Sequence, residues 1–175
     1  MRWWVLYARS RRLGVAMAAM AGSTVLLGVL GHAQAVPVGS TLSVTVASTG
    51  LMGVNAVLDR TASIRWPPRR AAHLIGMAVL AGLAGLPAAV PPGVVARDAL
   101  GQAGLAGAGV TLFGGSFGWC LPFAALVVTY LPGLARIPVA TWLAQPAGST
   151  PALVAALAFG VIGLLTYSAI GRGRV

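Results

Sequence analysis

The chain has no lysine and no glutamate, and its only acids are Asp59 and Asp98. A soluble surface normally carries charge of both signs on about 25% of its residues. Here 8% of residues are charged and 58% are apolar. That shortage excludes an ordinary cytosolic enzyme, and the apolar excess excludes a disordered chain. One cysteine, Cys120, excludes an intramolecular disulfide and a cysteine-based metal cluster. The two histidines, His32 and His73, lie too far apart to supply a metal donor set. No glycine–lysine phosphate loop is present, so the chain has no P-loop for hydrolysing ATP. No metal or cofactor is expected.

What remains is long apolar stretches punctuated by arginine. The mean hydropathy is +0.88, and the net charge of +10 is carried wholly by arginine. A basic chain suggests nucleic acid, but here the arginines cluster between apolar runs. That is where a membrane protein places charge to set its orientation. Nucleic acid is therefore not an expected partner, and the lipid bilayer is.

A membrane-crossing helix needs roughly 17–25 mostly apolar residues. Six stretches qualify: Leu13 to His32, Pro37 to Leu58, Ala71 to Val90, Asp98 to Gly114, Phe117 to Pro132, and Thr150 to Ile170. The fourth and fifth come from one uncharged run, Ala99 to Ala135. As a single helix that run would reach ~55 Å against a ~30 Å core, so it is expected to break at Gly114-Gly115-Ser116-Phe117-Gly118. The expected fold is all-α: one integral membrane domain, a polytopic transmembrane bundle of six spans with both termini cytoplasmic. Arg2, Arg9, Arg11 and Arg12, the basic loop 59–70, and Arg172 and Arg174 then share the cytoplasmic side. Arg97 and Arg136 fall outside.

The first 35 residues also resemble a secretion signal, ending in Ala33-Gln34-Ala35. Their apolar run is longer than a signal core of roughly 7–15 residues, so an uncleaved first helix is the reading adopted. Segment 133–149 is too apolar for a solvated loop and too short to cross. It reads as an outer interfacial piece with Trp142 at the headgroups.

Within the second stretch, Thr41, Thr45, Ser48, Met52 and Asn55 share one helical face. A polar stripe on a membrane helix faces protein or water. It lines either a translocation path or a subunit seam, unless the hydroxyls bond back to their own helix. Small residues recur at helix-packing spacing in Ala152, Ala156 and Gly160, and in Gly101, Gly104, Gly107 and Gly109. Ionisable groups are scarce inside the spans, so any transport would draw its energy from a partner. Gly114 to Gly118 matches the G-x-S-x-G pattern, but turn glycines between two helices explain it better than a nucleophile elbow. No enzymatic activity is expected.

The six stretches, the aromatic-basic start, the basic loop and the apolar outer segment together resemble the membrane subunit of an ABC-2-type transporter, particularly the short Ala/Gly-rich permease-like proteins of high-GC bacteria. The run from Arg97-Asp98-Ala99-Leu100-Gly101 to Gly118-Trp119-Cys120-Leu121-Pro122 would be the fourth and fifth spans. The resemblance implies a plasma-membrane exporter subunit, a homo- or heterodimer with a second membrane subunit, energised by a separate ATP-binding subunit. It would make Asp59, Arg60, Arg65, Trp66, Arg69 and Arg70 the ATPase-coupling loop. The alternative is a non-transporting membrane scaffold or immunity-type accessory protein.

Overall fold

The computed structural model describes residue 22 and residues 35–49, 66–87 and 90–170. All regular structure among them is helical. Five helices follow in order: α1 (Ala35–Ser48), α2 (Trp66–Gly85), α3 (Pro92–Phe113), α4 (Cys120–Thr129) and α5 (Thr150–Ala169). Short 3₁₀ turns at Gly115–Phe117, Pro132–Leu134 and Trp142–Ala144 break the chain between α3 and α5.

Local chemistry sets the boundaries. Proline lacks an N–H and has a helical φ, so Pro92 at the head of α3 costs no hydrogen bond. α3 stops at Gly114, whose φ of 88° a side chain would oppose and whose N–H closes on the Val110 carbonyl. α4 ends at Tyr130, and the next proline, Pro132, opens a 3₁₀ turn instead of continuing the helix.

α3 is the central helix. It lies beside α5 in the same direction, with Gly104 against Phe159 and Gly160, and Gly107 against Gly163. α2 runs the opposite way, with Gly82 at Ala99 and Leu74 at Gly107. α1 runs with α3, since Thr41 meets Gln102 near one end and Ser48 meets Gly118 at the other. One apolar cluster joins α1, α2, α3 and α5 through Val44, Leu74, Met77, Ala103, Val110 and Tyr167. A second, of Trp142, Leu143, Ala152, Ala155 and Ala156, holds the 131–149 segment against α5.

The expected six-span bundle is not what forms. The first stretch lies outside the described residues except for residue 22, as does the later part of the second. α1 has 14 described helical residues, about 21 Å, and α4 has 10, about 15 Å, against a hydrocarbon core of ~30 Å. α2 begins on Trp66-Pro67-Pro68-Arg69-Arg70, and α3 carries Arg97, Asp98 and Gln102 inside the helix. Among the described residues only α5 is both long and apolar enough to cross a membrane. The break at Gly114 to Gly118 falls where the glycines predict it, but hydropathy does not mark where the helices on either side begin and end. Glycine and proline cut the run before Cys120 and after Thr129, while the proline pair lengthened α3 at its polar end.

Candidate functional site

Arg97 and Asp98, which the sequence places at a membrane boundary, are buried among the helices, while Arg136 is exposed. Starting α3 at Pro92 puts Arg97 and Asp98 in its second turn, where both are buried. Arg97 donates from Nε to Asp98 Oδ1 at 2.9 Å. Its other two nitrogens reach the returning segment, Nη1 to the Pro146 carbonyl at 3.2 Å and Nη2 to the Gln145 carbonyl at 3.0 Å. One guanidinium thus ties α3 to the turn ahead of α5, using its planar fork of donors.

Gln102 sits one turn beyond Asp98 on the same face. Its Nε2 donates to Thr41 Oγ1 of α1 at 2.8 Å. The Thr41 hydroxyl spends its own hydrogen on the Pro37 carbonyl at 2.7 Å. That bond fixes the amide orientation, because the Thr41 oxygen then needs a donor and only the NH₂ end of Gln102 supplies one. A similar device recurs nearby: Thr141 bonds to the Ile137 carbonyl and receives Gln145 Nε2 at 2.9 Å.

Two acceptor oxygens in this cluster have no hydrogen-bond partner, Asp98 Oδ2 and Gln102 Oε1. Both side chains are 0% exposed. Tyr130, at the end of α4, lies within electrostatic reach. Burial holds its phenol above the ordinary value, and a negative charge on Asp98 pushes the same way.

Of the expected polar stripe, Thr41 and Ser48 are buried and Thr45 is half-buried; Met52 and Asn55 lie outside the described residues. Thr41 and Ser48 both bond back to their own helix, to the carbonyls of Pro37 and Thr45. Thr41 also faces α3 through Gln102. In the expected coupling loop, Asp59, Arg60 and Arg65 lie outside the described residues. Trp66 opens α2, Arg69 is exposed and Arg70 half-buried in the following turn. That end of α2 is opposite the Arg97–Asp98 cluster, so the structure brings those arginines and Thr41 to different ends of the helices.

One further placement differs from the sequence reading. Trp142 is 1% exposed, not at a surface; its ring fills the space left by Gly101 and tilts against Phe159, 6.0 Å between centroids. Ser116 of the G-x-S-x-G match is exposed on a 3₁₀ turn between α3 and α4, where a nucleophile elbow would need a strand.

The buried relay was partly legible. Gln102 is an isolated polar residue in the uncharged run Ala99 to Ala135. Its pairing with Thr41, and the burial of Arg97 and Asp98, depended on where α3 begins. Comparison with protein-family models, with curated proteins and with solved structures found no match to this chain.

Proposed function

We propose that this chain is an integral membrane protein, held in the bilayer by α5, that acts as a non-transporting scaffold or accessory subunit. The observation that carries the reading is the outer surface of α5. Leu153, Val154, Leu157, Val161, Ile162 and Leu165 are all exposed, on a helix with no charged residue. Water leaves such a surface uncovered at a cost of about 25 cal/mol per Å², and lipid removes that cost. The accessory role is supported by the destination of the polar side chains. Gln102 and Thr41 bond to each other between α3 and α1 and Ser48 bonds back within α1, so among the described residues these three side chains are spent inside the chain and not on a cargo.

The test is extraction of native membranes with alkaline carbonate and then with mild detergent. The expected result is a protein that resists carbonate and dissolves only in detergent. Release by carbonate alone would end the membrane reading.

A second reading is a permease-like subunit driven by a separate ATPase. The exposed Arg69 at the start of α2, beside the basic loop 59–70, favours it. Detergent purification followed by mass spectrometry of co-eluting proteins separates the two. A stoichiometric ATP-binding subunit supports the permease, and a stable complex without one supports the scaffold.

A further inference from the structure

We propose that Asp98 is a buried proton-binding site, held in its acid form, with Oδ2–H donating to Gln102 Oε1. The inference stands on the hydrogen-bond accounting around α3 and does not depend on the membrane reading. Every neighbouring group has its role fixed. Thr41 donates to Pro37, Gln102 Nε2 donates to Thr41, and Arg97 donates to Asp98 Oδ1 and to the carbonyls of Gln145 and Pro146. Two acceptors are left that none of these donors reaches: Asp98 Oδ2 and Gln102 Oε1, both on fully buried side chains. They belong to residues four apart on one helix, the spacing at which side chains meet. Two unpaired buried acceptors each forfeit a hydrogen bond, and a buried carboxylate loses its hydration as well. One proton on Asp98 removes both costs.

The proton closes a continuous chain of hydrogen bonds. It runs from the Pro37 carbonyl through Thr41, Gln102, Asp98 and Arg97 to the carbonyls ahead of α5. It therefore links α1, α3 and the 131–149 segment. The charged or titratable groups facing Asp98 are Arg97 and Tyr130. α1 carries no titratable side chain, α2 carries Arg69, Arg70 and His73 towards its other end, α4 carries Cys120 at its start, the 131–149 segment carries Arg136, which is exposed, and α5 carries only Tyr167 near its far end. The Arg97 guanidinium donates to three acceptors.

Asparagine is the neutral mimic of this state. Its Oδ1 accepts from Arg97 Nε, and its NH₂ donates to Gln102 Oε1. The full chain in mild detergent at neutral pH is compared by infrared spectroscopy as wild type, Asp98→Asn and Gln102→Leu. Asp59 is the only other side-chain carboxyl, so the wild-type minus Asp98→Asn spectrum isolates Asp98. The expected result is a carboxylic-acid C=O band that is lost in Asp98→Asn and shifts in Gln102→Leu. In thermal melts, Asp98→Asn is expected at or above wild type and Asp98→Ala well below it. A carboxylate band in place of the acid band would overturn the proposal, as would an acid band that Gln102→Leu leaves unmoved. So would Asp98→Asn melting as low as Asp98→Ala. Should the Asp98 variants fail to fold, Asp59→Asn takes their place: an acid band that persists in it belongs to Asp98 and supports the proposal, and its absence overturns it.

Discussion

Thr41 contributes little as a hydroxyl and much as a connector. Its oxygen donates to Pro37 and accepts from Gln102, so one side chain joins α1 to α3. Thr41→Val keeps the shape but leaves Gln102 Nε2 without an acceptor. That is expected to cost about 1–3 kcal/mol, while Thr41→Ser stays near wild type, as read from denaturant unfolding in detergent. Trp142 works by volume. Its ring occupies the space that a Cβ on Gly101 would claim, and it covers part of the α5 cluster. Trp142→Ala is expected to cost about 3–5 kcal/mol in the same measurement, with Trp142→Phe losing less. Both roles were hidden in the sequence for one reason. A Thr in a polar stripe and a Trp between prolines have many local readings, and only the partner on another helix selects one.

Between elements, the α3–α5 contact is the closest packing in the protein. Carbonyls and Cα atoms of one helix occupy the space where a Cβ would stand on the other at Gly104 and Gly163. Such approach is how helices gain van der Waals contact without a hydrophobic driving force. Gly104→Ala and Gly163→Ala are expected to push the helices apart at a cost of about 1–3 kcal/mol each. Gly93→Ala, at a position open to space, is the matched control and is expected to be neutral or slightly stabilising. Thermal melts of the three variants check this. The small-residue spacing of these helices was visible beforehand, because period and residue size are properties of the chain. Which glycine faced which helix was not, because that depends on crossing geometry. The extent of α4 was not visible either. The glycines at 114–118 mark the break ahead of it, but no change in hydropathy marks its end at Thr129.

For the molecule as a whole, the proposed membrane reading rests on α5. If its exposed apolar face lies in lipid, an arginine placed there is costly in proportion. Leu157→Arg and Val161→Arg, near the middle of α5, are each expected to weaken insertion by about 2.5–3.5 kcal/mol. The measurement is the fraction of protein remaining in carbonate-washed membranes. The same substitutions in a protein that lived in water would improve solubility, so the sign of the effect is itself a test.

Composition alone determined that this protein would be helical and would expose apolar surface, because 8% charge leaves too few polar groups to cover it. Spacing alone determined that its helices would meet through small residues. The tertiary structure decided how many apolar runs became long helices, because proline and glycine breaks act on backbone geometry and not on hydropathy. It also decided that Arg97, Asp98 and Gln102 would be buried together. Burial of polar groups is tolerated only where each finds a partner, and those partners, Thr41, Gln145 and Pro146, are distant in sequence and near only in the fold.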